Sequence, residues 1–316
     1  MRLITRSDFD GLVCAAILQE LGITDEIHFV HPKDVQDGKV AVTENDVLAN
    51  VPFVKGCGLW FDHHSSEQQR LALHGQFEGA CEPAPSAARV VANYYGKDPA
   101  LAAKLAKFDE LLMVVDIADA AQFTEVDILD PQGWMLLAII ADPRTGLGLK
   151  KGFAVSNFEL MSRLPELLRT HDAESILAMP DFADRVAVYR EENRRYKKFL
   201  LDTARIRGEA IFLDLRGMED IPSGNRFMEY VVFPDKSISV RVMDGHKKSR
   251  AVISVGHSII NRTSTVDVGA LMFTYGGGGH KAAGTCQVPY EDADRVVAEV
   301  LAAINAAPQS SATPDA

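Results

Sequence analysis

The stretch RLITRSDFDGLVCAAILQELG (2–22) decides how the chain begins to fold. RLIT (2–5) reads as a short apolar strand. DGLVCAAILQELG (10–22) reads as a helix, with Leu12, Ala15, Ala16 and Leu18 at helical spacing and Gly22 as its stop. The same texture returns downstream. EIHFVHP (26–32), DVLANV (46–51) and GLWFDHH (58–64) each read as a strand, the first ended by Pro32 and the last running into polar residues. Strands alternating with helices predict an α/β fold with a doubly wound, mostly parallel sheet in the N-terminal domain.

From about residue 85 the pattern is mostly helical, in SAARVVANYYG, LAKFDELLMVVDIADA, GWMLLAIIADP and FELMSRLPELLRTH. ADRVAVYREENRRYKKFLLDTARIR (183–207) is a charged helix whose simplest reading is a solvated face and whose position suggests a connector. After residue 208, EAIFLDL, YVVFP, SISVRVM and RAVISVGHS are short β-type runs between turn residues. A Gly-rich loop, YGGGGHKAAG (275–284), and a last helix follow. The expected organisation is a first domain over 1–185, a connecting helix over 186–207, a smaller α/β domain with a mixed sheet over 208–305, and a disordered tail over 306–316.

Composition narrows the functional classes. The chain has 316 residues, 47% hydrophobic and 24% charged, ordinary for a globular protein. Its 33 basic against 44 acidic residues leave a net charge of −11, so any grip on phosphate must be local. Four cysteines (Cys14, Cys57, Cys81, Cys286) form no CxxC pair, and no apolar run reaches the ~18 residues of a membrane helix. A reduced, cytoplasmic protein with no membrane partner and no signal peptide is the expectation.

Four polar clusters stand out. Asp8 and Asp10, in SDFDG (7–11), lie where the first strand meets the first helix. Two carboxylates there repel unless a cation lies between them, although an N-cap is the plainer reading. Asp62-His63-His64 ends the fourth strand, and one carboxylate with two imidazoles is ligand chemistry for Mn²⁺, Zn²⁺ or Fe²⁺. Both clusters are expected at carboxyl ends of strands of one sheet, where such sheets bind ligands. Asp116 and Asp119 share a helix face at i, i+3. They read either as a further ligand or as two surface acids. Finally, Gly276 to Gly279 with His280 offer backbone N–H groups and a side-chain donor to an anion, or simply a flexible loop. Arg226, Arg241, His257 and Arg262 are nearby candidates for anion contacts.

Together these pieces resemble the DHH phosphoesterase superfamily, and more narrowly its members with a DHH-associated C-terminal domain: nano-RNases, pAp phosphatases, cyclic dinucleotide phosphodiesterases and exopolyphosphatase-like proteins. SDFDG (7–11), FDHHSS (61–66), ADAAQF (118–123) and GGGGHKAAG (276–284) carry the likeness, in family order over nearly the whole chain. The resemblance implies Asp8, Asp10, Asp62, His63 and Asp119 as metal ligands, with Asp116 as the rival of Asp119. It implies His64 beside the reacting phosphate and Gly278, Gly279 and His280 as substrate contacts; His257 and Arg262 stay candidates for substrate binding on the residues alone. Two positions depart from it. A His often precedes the first motif Asp by two residues, where this chain has Arg6; an Asp usually ends the third strand, where this chain has Asn50. Arg cannot ligate a cation and Asn offers only a neutral carbonyl. The centre is then reduced to one metal or none, unless His31 or Asp37 substitutes.

The expected function is a phosphoesterase using Mn²⁺ or another divalent metal (Mg²⁺, Co²⁺, Zn²⁺). A metal-activated water attacks phosphorus, with His64, Asp62 and Arg6 as the catalytic group. Short oligoribonucleotides, pAp-like nucleotides and polyphosphate all fit as small phosphorylated substrates, and short single-stranded RNA is included. Phe227, Tyr230, Phe273 and Tyr275 are candidates for stacking on a base, or core residues. The alternative is a non-catalytic phosphate-ligand binder with a degenerate metal site. A homodimer through the first domain is a further expectation.

Overall fold

A computed structural model describes residues 1–64, 67–68 and 75–310. Ser65 and Ser66 of the FDHHSS stretch and residues 311–316 of the tail lie outside the described residues. The chain divides into two units: residues 1–123 with 130–189, and residues 124–129 with 190–316.

The first unit carries β1 (Arg2–Thr5), α1 (Phe9–Glu20), β2 (Glu26–Phe29), α2 (Pro32–Gln36), β3 (Asp46–Ala49), β4 (Leu59–Asp62), β5 (Gly79–Cys81), α3 (Ala87–Tyr95), α4 (Pro99–Leu105) and α5 (Asp109–Asp119). After α6 (Glu125–Leu129), which groups with the second unit, it resumes with α7 (Gly133–Ala141), α8 (Asn157–Thr170), α9 (Ala173–Leu177) and the start of α10 (Pro180–Thr203).

All five strands pair in parallel in the order β2-β1-β3-β4-β5. This is a doubly wound order whose switch point lies between β1 and β3. Alternation assigns the two faces. Leu3, Val47, Ala49 and Phe61 pack towards α1; Ile4, Leu48 and Trp60 pack with Val35 on the other face. Helix α1 is buried from Phe9 through Leu18 because α3 and α8 pack against it as the sheet does. Its burial therefore extends beyond the helically spaced Leu12, Ala15, Ala16 and Leu18 to the whole circumference. Gly11 is required where α1 starts: a Cβ there would meet the Arg6 carbonyl oxygen at 2.2 Å and Thr5 Oγ1 at 2.7 Å.

The second unit carries the rest of α10, then β6 (Arg205–Arg207), β7 (Ala210–Asp214), α11 (Met228–Val232), β8 (Ile238–Asp244), β9 (Arg250–His257), α12 (Val268–Phe273), β10 (Gly278–His280), β11 (Ala283–Pro289) and α13 (Ala293–Ala306). Its sheet runs β10-β11-β9-β8-β7-β6 and is mixed, only β7 and β8 being parallel. Val240, Val242, Ile253 and Val255 form its core with Val296, Val300 and Ile304 of α13.

Several boundaries differ from expectation. The connecting helix starts at Pro180 rather than 186 and ends at Thr203, and the unit boundary falls inside it. Residues 205–207 leave the helix to pair as β6 with β7. The tail is engaged beyond residue 306: Gln309 bridges Ser264, and the Ser310 amide donates to the Thr263 carbonyl at 2.8 Å. The Gly-rich segment is an edge strand in its second half, because Gly278–His280 pairs antiparallel with Ala283–Thr285. Glycine serves close approach there, since a Cβ on Gly279 would lie 2.2 Å from the Ala283 carbonyl oxygen. No helix among the described residues is long and apolar enough to cross a membrane.

Candidate metal centre

A parallel sheet sends every strand's carboxyl end to one edge, and the polar clusters of the first unit collect there. Asp8 follows β1, Asn50 follows β3, and Asp62, His63 and His64 end β4. Asp119 closes α5.

Asp10 is held by the start of α3. Its Oδ2 accepts the Ala87 amide at 2.9 Å and its Oδ1 the Ala88 amide at 2.8 Å. These are first-turn N–H groups, which have no partner within their own helix. Ser86 caps that helix. Its hydroxyl also donates to Asp116 Oδ1 at 2.7 Å, while Arg89 donates to Asp116 Oδ2 from Nε at 2.8 Å and Nη2 at 2.6 Å. Asp116 is therefore spent on α3, which separates it from Asp119.

Asp119 Oδ2 lies 3.1 Å from His63 Nε2, and Asp10 Oδ2 lies 4.0 Å from the same nitrogen. His63 Nδ1 sits 3.1 Å from the Ala84 carbonyl oxygen. A carbonyl only accepts, so Nδ1 carries the hydrogen. Nε2 then faces the two carboxylates, and it is buried without a hydrogen-bond partner of good geometry despite the 3.1 Å approach. A backbone carbonyl fixing one ring nitrogen while the other points at carboxylates is the arrangement of a metal-ligating histidine. Asp10, His63 and Asp119 thus fit a divalent cation, and the described residues form a second such group in Asp62, His63 and His64.

Electrostatics points the same way. Burial pushes Asp8 upward despite Arg6, and burial together with the charge of Asp119 pushes Asp10 up to about 7. Burial opposes the His63 imidazolium, yet Asp119 and Asp10 hold its value up at about 9. Asp119 goes the other way: burial would raise it, but His63 holds it below the usual carboxylate range.

Asp62 works differently. Its Oδ1 accepts the His63 amide at 2.7 Å, the His64 amide at 3.1 Å and His64 Nδ1 at 2.6 Å. It locks the turn after β4 and fixes His64 with Nε2 turned away from it. Burial disfavours the His64 cation, but Asp62 raises its value above the ordinary one.

Arg6 reaches Asp8 Oδ2 through Nε at 3.1 Å. Asn50 is buried with a left-handed φ of 57°, which Asn tolerates, and donates Nδ2 to Asp8 Oδ1 at 3.0 Å. His31 and Asp37 lie outside the groups of potential ligands that the described residues form. His31 Nδ1 accepts the Lys33 amide at 3.1 Å as the cap of α2, and Asp37 pairs with Lys33 and Lys39. Arg144 was not singled out in the sequence. It lines one small pocket with Asp8, Asp10 and Asp119, its Nε held by Asp142 at 2.7 and 3.0 Å. Its signal was the polar turn DPRTG placed directly after the wholly apolar GWMLLAIIA.

In the second unit, Gly278, Gly279 and His280 lie on the edge strand, with His280 exposed. His257 Nε2 is 2.9 Å from the Val266 carbonyl oxygen, and Arg262 Nε donates to the Ile259 carbonyl at 3.1 Å. Arg241 is spent on Glu229, at 2.9 Å from Nε and 2.6 Å from Nη2. Phe227 and Tyr230 are core residues, whereas Phe273 is exposed.

No family model and no curated protein matches the chain. Solved structures do match it. A pGpG-specific phosphodiesterase, PggH, from Vibrio cholerae is 41% identical with a TM-score of 0.81, over 97% of this chain and 99% of that one. RecJ from Thermus thermophilus, in complex with Mn²⁺, is 16% identical with a TM-score of 0.53, over 98% of this chain and 52% of that one. The DHH domain of a member of the s1p family of ribosomal proteins is 12% identical with a TM-score of 0.58, over 97% of this chain and 86% of that one. The latter two likenesses concern the fold alone.

Proposed function

The chain belongs to the DHH phosphoesterase superfamily, and we propose that its reaction is divalent-metal-dependent hydrolysis of short linear dinucleotides of the pGpG type. It is a DHH-type phosphoesterase, which favours an enzyme over a ligand sensor. The observation that carries the metal is His63 Nε2, buried and facing Asp10 and Asp119 without a hydrogen-bond partner of good geometry. The substrate class is supported by the 41% identity to a pGpG-specific phosphodiesterase over nearly the full length of both chains.

On this reading Asp10, His63 and Asp119 hold the cation. When bound, it supplies Lewis acidity that brings the pKa of water towards neutrality and offsets phosphoryl charge. The chain's own groups do the rest. Asp62 fixes the His64 ring through Nδ1, so Nε2 is the nitrogen free to meet substrate. In hydrolysis of pGpG, a water oxygen bonds to the linking phosphorus, the P–O3′ bond breaks, and the leaving oxygen needs a proton. His64 is placed to deliver it, with its value raised by Asp62. Arg144 presents a fixed positive charge in the pocket of Asp8, Asp10 and Asp119, suited to a phosphoryl oxygen.

The test is a substrate panel of pGpG, pAp and polyphosphate with the purified protein and Mn²⁺. The expected result is conversion of pGpG to GMP with the highest kcat/KM of the three. Preference for pAp or polyphosphate overturns the substrate class, and no turnover on any of them overturns the proposal.

A further inference from the structure

We infer that the centre is built for a single divalent ion at Asp10, His63 and Asp119, and that Arg6 and Asn50 close the position beside Asp8 against a second. This rests on the metal-dependent reading above.

Asp8 Oδ1 is faced by two donors, the Gly11 amide at 3.1 Å and Asn50 Nδ2 at 3.0 Å. Asp8 Oδ2 faces Arg6 Nε at 3.1 Å. A guanidinium keeps its charge and has no lone pair to give. An ion approaching Asp8 meets N–H donors on one oxygen and a fixed positive charge at the other.

Asp10 is the contrast. Its Oδ2 accepts the Ala87 amide and stands 4.0 Å from His63 Nε2, with no lysine or arginine paired to it among the described residues. Two-metal sites hold their ions roughly 3.5–4 Å apart and need ligands for both. Here Asp10, His63 and Asp119 supply one position, Asp8 beside it meets donors, and the group Asp62, His63 and His64 shares His63 with the first and has Asp62 Oδ1 committed to two amides and His64 Nδ1. Asn50 is no accident of a loose loop, because it is buried and its backbone amide donates to the Phe61 carbonyl at 3.1 Å. Arg144, held by Asp142, lies in the same pocket as Asp8 and adds a second fixed positive charge. Arg6 and Arg144 therefore take the part of a second cation towards phosphoryl oxygens, a bidentate role that guanidinium suits.

The experiment is a metal count. Wild-type protein is stripped with chelator, re-equilibrated with Mn²⁺ and desalted. Manganese per chain is measured by mass spectrometry, and the electron paramagnetic resonance spectrum is recorded. We expect one Mn²⁺ per chain with the spectrum of an isolated ion. The double variant Arg6→His/Asn50→Asp, which replaces the two donors by ligands, should hold two ions with an exchange-coupled spectrum. Two coupled ions in the wild type overturn the inference while leaving metal dependence standing. No bound ion together with no pGpG turnover overturns both. A folded double variant that still holds one ion overturns the role given to Arg6 and Asn50. If that variant fails to fold, the wild-type count and spectrum decide.

Discussion

Asp62 Oδ1 stands 2.6 Å from His64 Nδ1, so the first residue of the Asp-His-His run holds the third. The middle one, His63, turns the other way, anchored by the Ala84 carbonyl and facing Asp10 and Asp119. On the proposed reading three consecutive residues divide the work: one orients, one binds the cation, and one turns a ring nitrogen to substrate.

That division predicts separable effects. His64→Ala should lower kcat on pGpG by roughly 10²–10⁴-fold, the worth of one positioned acid or base, while the bound Mn²⁺ count stays at the wild-type value. Asp62→Asn, which leaves His64 without its ionised partner, should lower kcat more than it raises KM. Steady-state kinetics paired with metal analysis reads both, and a His64→Ala protein with wild-type kcat contradicts the assignment.

Ligand loss should behave in the opposite sense. Asp119→Asn or His63→Ala should weaken Mn²⁺ binding by more than the roughly 10–100-fold that outer-shell changes cost. At 100 times the Kd, a bound ion stabilises the native state by about 2.7 kcal/mol. Mn²⁺ should therefore raise the Tm of the wild type and leave that of Asp119→Asn nearly unmoved. Asp116→Asn should keep the Mn²⁺-induced rise, because Asp116 serves Ser86 and Arg89.

The entry to α1 tolerates no side chain. Gly11→Ala places a Cβ at 2.2 Å from the Arg6 carbonyl oxygen, in the segment that carries Asp8 and Asp10. Overpacking of this kind costs roughly 1–3 kcal/mol. Denaturant unfolding should show that loss, with Mn²⁺ affinity falling as the Asp8–Asp10 segment shifts. Unchanged stability would contradict the packing described.

A pH effect is expected away from the centre. Asp46 is buried, which alone would raise its value. Arg2 donates to it from Nε at 2.7 Å and Nη2 at 3.0 Å, Thr43 adds its amide and hydroxyl, and the net direction is downward. A carboxylate lowered by folding stabilises fully above its unfolded value, about 3.9, and loses that contribution as pH falls through its folded value. Asp46→Asn should cost roughly 1.5–3 kcal/mol near neutral pH, the worth of hydrogen bonds to a charged group. The cost should shrink as pH falls below about 4. A cost independent of pH would contradict the pairing.

Much of this was legible in the residues, for identifiable reasons. Strands such as Leu59–Asp62 are apolar on both faces because a parallel sheet is covered on both, so they read as short continuous runs. The carboxyl-edge clustering of Asp8, Asp10, Asp62 and His63 follows from parallel strands alone. β5 was not legible: Gly79–Cys81 has three residues and no hydrophobic pattern, and it joins the sheet by backbone pairing with β4. The Gly-rich segment misled because consecutive glycines signal a loop, whereas here they let Gly279 approach Ala283 at an edge strand. Arg144 escaped notice because its place beside Asp8 depends on where the turn after α7 lands. Asp116 and Asp119 are equivalent by spacing, and the structure distinguishes them by the Ser86 and Arg89 contacts of the one and the His63 contact of the other.

The most direct measurement is hydrolysis of pGpG by chelator-stripped protein before and after Mn²⁺ is restored, with Asp119→Asn alongside. GMP should form only when Mn²⁺ is restored to the wild type, and Asp119→Asn should turn over at a rate near background. Turnover that survives chelation, or an Asp119→Asn protein as fast as the wild type, would contradict a phosphoesterase centre built on Asp10, His63 and Asp119.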